Sequence, residues 1–304
     1  MLFLLPFANA EPDPAIPRLD WDWSTPRRYL VETEVRLPLF IWFRAARNRD
    51  VRVVGFQLRA VLECEGTDRY DPARKDEVFC RFEDVSLVVG TQPGDRGLAS
   101  LVVDEYDEVL TGSSMRMMVQ DRGHIVDVAM PELAARNSRV RGRNETLRQL
   151  VRFLAMGFEL PLTDGGDDLW LSHDSLLCTM TTSRGTTSQF EGVTRGAARE
   201  GLIELASHGR GLMTAGNDLN SYTCETTARA FYEPDVGPLR HTWEMLGEPT
   251  PSSAIAWGTA GYPYTQRGGL RRLKPDEVVD LGVTGEVQMG GAVETALQAD
   301  DARP

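Results

Sequence analysis

The chain has 304 residues, with a hydrophobic content of 41%, a charged content of 26% and a formal net charge of −12. These proportions are ordinary for a globular chain, and the length suffices for one large β-domain or two smaller ones. The negative charge argues against nucleic acid as a partner, because phosphate binding needs a basic surface. All but two of the 33 Lys and Arg residues are arginine, a bias typical of a GC-rich bacterial genome.

The N-terminus resembles the end of a secretory signal. An apolar run over 2–7 is followed by Ala8 and Ala10 in the A-x-A pattern of a cleavage site, but the run is shorter than a complete apolar core of roughly 7–15 residues. We therefore predict a truncated signal peptide over 1–10 and a linker over 11–26; the alternative is an ordinary apolar N-terminus. The signal-like N-terminus predicts a periplasmic or secreted bacterial protein. No later stretch approaches the roughly 18 apolar residues of a spanning helix, so we expect that the protein does not span a membrane.

The cysteines predict two disulfide bonds. There are four of them, and their spacings match no C-x-x-C zinc or redox motif. An even number in an exported protein favours disulfides. Residues 54–64 and 78–82 alternate around a polar loop, which predicts a hairpin with a bridge at its base. We therefore predict the pairs Cys64–Cys80 and Cys178–Cys224; the alternative is four buried free thiols.

The dominant hydrophobic period is two, which is typical of half-buried β-strands. In one example, Val31, Thr33 and Val35 alternate with glutamate and arginine. The strand candidates are 31–37, 52–64, 77–89, 99–110, 115–120, 124–130, 170–182, 187–193, 200–207, 220–232 and 238–246.

One amphipathic helix is predicted between the two groups of strands. Asn144 is a good N-cap and Gly157 suits the C-terminal stop, which gives a helix over 144–157. Apolar residues recur at intervals of three and four and form one stripe, which has to pack on a sheet face. The stripe consists of Leu147, Leu150, Val151, Leu154, Ala155 and Phe158.

These elements predict a mainly β (α+β) fold. We expect a curled antiparallel sheet of about ten strands, because larger open sheets rarely stay flat, with one central amphipathic helix packed on its concave face. The predicted parts are a β-rich domain over 27–246 made of two halves (27–130 and 169–246) joined by the helix, a loop-rich C-terminal extension over 247–289 that includes an ordered Gly-, Tyr- and Pro-rich loop over 257–269, and a disordered tail over 290–304.

This plan resembles the bacterial lipoprotein-carrier superfamily, periplasmic half-barrels that shield an acyl chain. The resemblance is one of architecture over roughly residues 27–246 and includes no diagnostic motif. It implies an apolar cavity between sheet and helix, with Leu147, Leu150, Val151, Leu154 and Phe158 at its lid.

The apolar run over 37–43 is a second candidate for contact with a ligand. Its aromatic residues Phe40 and Trp42 could form a lip that meets an acyl chain or a membrane, since exposed apolar patches mark contact sites. The alternative is a strand buried on both faces.

Catalytic and metal-binding motifs are lacking in the sequence. The histidines show no H-E-x-x-H spacing and the serines no G-x-S-x-G elbow. His173, Asp174 and Ser175 are consecutive, so they cannot form a triad among themselves. We expect no cofactor and no metal.

The predicted function is that of an exported, non-enzymatic envelope protein that binds an apolar ligand, a lipid or a lipidated protein, between sheet and helix. The alternatives are an envelope structural or interaction protein without a cavity and, third, a secreted hydrolase.

Overall fold

The computed structural model of the chain describes residues 23–38, 53–66, 75–91, 109–120, 125–130, 151–159, 169–172, 186–199, 201–215, 221–234, 236–251, 264–282 and 285–288. Within these ranges, twelve strands form one sheet. They are β1 (Arg27–Pro38), β2 (Val53–Gly66), β3 (Lys75–Thr91), β4 (Ser114–Gln120), β5 (Ile125–Ala129), β6 (Leu169–Ser172), β7 (Thr186–Arg199), β8 (Leu202–Ala215), β9 (Ser221–Glu233), β10 (Gly237–Pro249), β11 (Tyr264–Arg272) and β12 (Gly285–Gln288).

Two antiparallel meanders meet at the centre of the sheet. Strands β1 to β5 run from the centre to one edge, and β6 to β10 run from the opposite edge back to the centre. Strand β11 lies between β10 and β1 and pairs antiparallel with both. Strand β12 adds a parallel pairing to the last residues of β3. The fold is therefore mainly β and built on one large, predominantly antiparallel sheet, as predicted.

The two faces of the sheet differ in chemistry. The inner face, defined here as the face on which residues 151–158 pack, is apolar, and on β1 it presents the buried Val31 and Val35. The outer face carries cross-strand ion pairs such as Arg59 with Glu32, at 2.5 Å. This contrast follows directly from the period of two in the sequence, because successive side chains of a strand point to opposite faces.

One of the two predicted disulfides is confirmed. Cys64 on β2 and Cys80 on β3 are direct register partners and are joined by a disulfide bond. The second predicted bridge is not formed, because Cys224 carries a buried free thiol; its predicted partner Cys178 lies outside the described residues. Burial raises the pKa of the Cys224 thiol to about 12, which keeps it protonated and unreactive at neutral pH.

A helical segment over 151–158 crosses the middle of the inner face. Residues 151–155 are α-helical, and Met156–Phe158 form a 3₁₀ turn, a common ending for an α-helix. The part of the predicted helix over 151–157 is therefore present, while its predicted start at Asn144 lies outside the described residues. Within the described ranges, no helix has the length and apolar character needed to cross a membrane.

Strand β11 occupies a segment in which the sequence predicts a loop. The two glycines Gly268 and Gly269 favour a turn between periodic elements, and the surrounding 257–269 is assigned to the C-terminal extension. Instead Gly268 is a central strand residue, and a Cβ at this position would overlap the ring of Trp243. Glycine inside a strand marks such a close approach. Residues 264–272 of the predicted extension thus belong to the middle of the sheet.

Candidate functional site

The C-terminal end of the helical segment packs very closely on the central strands. A Cβ added at Gly157 would lie 3.1 Å from Val31 Cγ1 and 3.2 Å from both Leu270 Cβ and Trp243 Cη2. These distances are shorter than ordinary van der Waals contacts between carbon atoms. A larger residue at 157 would therefore push these neighbours away by a few tenths of an ångström, and no space remains for a ligand between Gly157 and Val31, Leu270 or Trp243.

Aromatic rings contact both ends of the segment. Phe158 packs edge to face on Tyr29 of β1, with 5.1 Å between ring centroids, and lies 6.3 Å from Trp23. At the other end, Phe153 packs on Phe56 of β2 at 5.7 Å. Aromatic pairs at such separations add about 0.5–1.5 kcal/mol each beyond the burial of their area. The segment is thus attached across four neighbouring strands, β2, β1, β11 and β10.

Two buried polar side chains bind the end of the segment. His241 on β10 places Nδ1 2.8 Å from the carbonyl oxygen of Gly157, and Gln266 on β11 donates from Nε2 to Met156 Sδ at 2.8 Å. A carbonyl oxygen only accepts, so Nδ1 of His241 carries the proton. Burial lowers the pKa of His241 to about 4, although the bond to Gly157 opposes this shift. The imidazole is therefore neutral at pH 7.

Several buried polar atoms of the inner face have no hydrogen-bond partner in the described part of the chain, among them Tyr29 OH, His241 Nε2, Trp243 Nε1 and Arg272 Nη1. Such atoms are rare in folded proteins and are candidate contacts for a bound molecule or an ordered water. The hydroxyl and the indole nitrogen are donors, whereas Nε2 of neutral His241 is an acceptor. Clusters of three or more His, Cys, Asp or Glu residues suited to a metal ion do not occur in the ranges described.

Three of the predicted ligand residues lie in the main hydrophobic cluster. Val151, Leu154 and Phe158 are 1%, 0% and 0% exposed, respectively. They are buried where the helical segment contacts the sheet, which agrees with the predicted stripe. Their role in binding a ligand stays a prediction. The predicted site residues outside the described ranges are Leu147, Leu150, Phe40 and Trp42.

The side chains of the sheet that bind the segment were not predicted from the sequence. His241 and Trp243 occupy alternate positions of β10 together with Met245, and all three are buried. This period of two is the signal that could have placed His241 on the inner face. Gln266 carried no comparable signal, because the two following glycines interrupt the pattern of β11.

The apolar inner face extends well beyond the segment. A helical segment of eight residues is about 12 Å long, whereas the eight neighbouring strands from β5 to β9 span about 34 Å. Next to β2, the inner face continues over three further strands as the β3–β5 surface. Its buried residues are Val78, Phe82, Leu87, Met115, Met117, Val119, Ile125 and Val128.

A surface cavity of about 300 Å³ lies on the outer face, lined in part by Arg28, Glu83 and residues 275–279. Arg28 Nε donates to Glu83 Oε2 at 2.8 Å, and Arg28 Nη1 donates to the carbonyl oxygens of Pro275 and Glu277. The guanidinium therefore fixes the chain after β11 to the outer face. This cavity lies on the opposite side of the sheet from the predicted ligand site.

The solved structures similar to this chain include lipovitellin and an exported protein. No family model and no curated protein matches the chain. Lipovitellin, from a structure of its lipid–protein interactions, is similar with a TM-score of 0.47 and 11% identity over 86% of this chain and 26% of that chain. A protein of Bacteroides fragilis NCTC 9343, described as exported and with a YmcC-like fold, is similar with a TM-score of 0.25 and 8% identity over 84% of this chain and 100% of that chain. The chain spans about a quarter of the length of lipovitellin. Neither TM-score is high enough to establish a common fold.

Proposed function

We propose that the protein is an exported, non-enzymatic bacterial envelope protein that binds an apolar molecule, a lipid or the acyl chain of a lipidated protein, on the inner face of its sheet. The observation that carries this proposal is the chemical difference between the two faces. Ion pairs keep the outer face compatible with water, whereas the inner face from β5 to β9 is mainly apolar and buried. An apolar ligand on this face therefore has to displace groups that now cover it. In this proposal the sheet curls around the helical segment, as open sheets of more than about ten strands commonly do.

The packing of the segment indicates where such a ligand binds. The close contacts of Gly157 fill the space over Val31, Leu270 and Trp243 in the middle of β1, β11 and β10, and Phe153 contacts Phe56 at the border with β2. The ligand therefore lies beside the segment, over the β3–β5 surface. In this proposal the predicted lid residues Val151 and Leu154 cover it from the helix side; Leu147 and Leu150, also predicted for the lid, lie outside the described residues.

The disulfide supports the exported location. Disulfides persist in oxidising compartments such as the periplasm and the extracellular space and are rare in the cytosol. The bond between Cys64 and Cys80 and the A-x-A pattern that ends at Ala10 point to the same compartment.

Ligand binding is tested with the purified full chain after organic extraction, titrated with a fluorescent fatty acid. We expect saturable binding by the wild type. Met117→Asp should abolish it, because Met117 is buried on the β3–β5 surface. The matched control is Met118→Asp, which changes the neighbouring residue on the outer face and should bind normally. Circular dichroism checks folding, and Met117→Gln replaces Met117→Asp if that variant does not fold. A wild type that takes up no fatty acid overturns the proposal.

A structural or interaction protein with a solid core is the second candidate function. The observation that favours it is the close packing at Gly157 and Gly268, where backbone and aromatic rings meet without intervening space. If this candidate is correct, organic extraction releases no bound species in native mass spectrometry and leaves the thermal unfolding curve unchanged.

A further inference from the structure

The inner face carries a pair of adjacent polar side chains at one end of the sheet. Tyr29 on β1 and Arg272 on β11 are direct register partners, so their side chains leave neighbouring strands on the same face, about 5 Å apart at Cβ. Tyr29 is 0% exposed, and its hydroxyl has no hydrogen-bond partner within the described ranges. The hydroxyl is a donor for which the described residues supply no acceptor.

Arg272 supplies a second donor beside this hydroxyl. Its Nη2 donates to the carboxylate of Glu233 on β9. Its Nη1 is buried and has no partner among the described residues. The guanidinium is a rigid fork, so the bond to Glu233 fixes the position of the free Nη1.

The turn between β9 and β10 lies next to the hydroxyl. Gly237 begins β10 with a φ of 128°, a conformation that favours glycine, and a Cβ added there would lie 3.9 Å from Tyr29 OH. Because glycine has no side chain, residue 237 supplies no side-chain acceptor to the hydroxyl.

We infer that Tyr29 and Arg272 bind the anionic head group of the apolar ligand, a carboxylate such as that of a fatty acid. This inference rests on the proposed function and names its substrate class. A carboxylate presents two acceptor oxygens and a negative charge, which match one hydroxyl donor and one guanidinium donor. Shielding from solvent strengthens hydrogen bonds to a charged group. Burial also raises the pKa of Tyr29 to about 12, so the hydroxyl keeps the proton that it donates.

The position of this pair connects the head group with the β3–β5 surface. Tyr29 pairs with Leu62 of β2, and Leu62 pairs with Phe82 of β3. Both Leu62 and Phe82 are buried on the inner face. In this inference, an acyl chain whose carboxylate binds between β1 and β11 lies along this apolar row toward β4 and displaces the groups that now bury Leu62 and Phe82.

The test compares lauric acid with dodecanol, which has the same chain length and a neutral head, by isothermal titration of the extracted full chain at pH 8. We expect the wild type to bind lauric acid at least about tenfold more tightly, since hydrogen bonds to a charged group are the stronger class. Tyr29→Phe should reduce the affinity for lauric acid about tenfold and leave that for dodecanol unchanged. Tyr222→Phe is the matched control, because Tyr222 is also buried on the inner face but at the opposite end of the sheet, and it should keep the wild-type preference.

The outcomes separate this inference from the proposed function. Equal affinities of the wild type for acid and alcohol overturn the head-group assignment while the proposed function stands. A Tyr29→Phe variant that keeps the wild-type preference also overturns it, and would indicate that the hydroxyl binds only an ordered water. Failure of the wild type to bind either compound overturns the proposed function itself.

Discussion

Trp243 on β10 lies over Gly268, its register partner on β11, so closely that any side chain at Gly268 would overlap the indole ring. The same ring contacts Gly157 of the helical segment. A single tryptophan is thus packed between two glycines, one on the sheet and one on the helix. The position of the segment on the sheet depends on the absence of a Cβ at both.

Gly268→Ala should therefore destabilise the protein by about 1–3 kcal/mol, the usual cost of overpacking a core. Urea unfolding measures this loss. Gly269→Ala is the matched control, because the nearest atom to a Cβ there is His241 O at 3.7 Å, an ordinary contact. That variant should be neutral or slightly stabilising, since alanine reduces the freedom of the unfolded chain. Equal effects of the two substitutions would contradict the packing described for Trp243.

The same tryptophan shows how far the fold could be predicted from the sequence. Strands such as β1 and β2, and the bridge from Cys64 to Cys80, were predictable because alternation and hairpin pairing are local properties. Strand β11 was not predictable, because Gly268 has the local signature of a turn. Its role in the strand depends on the ring of Trp243, which belongs to another strand, β10. Strand order likewise depends on tertiary contacts.

The residues of the candidate site were likewise predictable only in part. Val151, Leu154 and Phe158 were predictable from helical periodicity alone. The hydrogen bond from His241 to Gly157 was not, because nothing in either local sequence shows which strand the end of the helix contacts.

His241 should make stability depend on pH between about 6.5 and 4. The unfolded chain binds a proton on this imidazole below its ordinary pKa of 6.5, whereas the folded protein resists protonation until about pH 4. The free energy of unfolding is therefore unaffected by His241 above pH 6.5 and falls by up to about 3 kcal/mol as the pH drops through this window.

Urea unfolding at pH 7 and pH 4.5 measures this dependence in the wild type and in His241→Asn, which lacks the titrating group. When the pH drops from 7 to 4.5, the free energy of unfolding should fall by about 2–3 kcal/mol less in the variant than in the wild type. His208→Asn is the control, because the His208 side chain is 59% exposed, and it should follow the wild type. An identical pH dependence in His241→Asn and the wild type would show that His241 is not buried against Gly157.

Leu154→Arg tests the docking of the helical segment. Leu154 is 0% exposed in the core, so a charge at this position would be buried without a partner. We expect a loss of about 4 kcal/mol or more, or failure to fold. Arg152→Gln changes a half-buried residue of the same segment and should cost less than about 1 kcal/mol. Unchanged thermal stability of Leu154→Arg would show that the segment is not docked on the sheet.

The disulfide pattern is checked by peptide mapping without reduction. We expect a linked peptide that contains Cys64 and Cys80, and Cys224 in its reduced form. Replacement of Cys64 and Cys80 by serine should destabilise the protein by about 3 kcal/mol, as expected for a closed loop of this size. The buried Cys224 should react with a thiol reagent only after unfolding. Recovery of Cys224 linked to Cys178 would contradict the free thiol.

The most direct test of ligand binding on the inner face is cross-linking with a photoreactive fatty acid, followed by mass spectrometric mapping of the full chain. Saturable labelling is expected on the β3–β5 surface, at Met115 and Met117, and not at Met118 on the outer face of the same strand. Labelling confined to the outer face, or no labelling above that of a denatured control, would contradict the account.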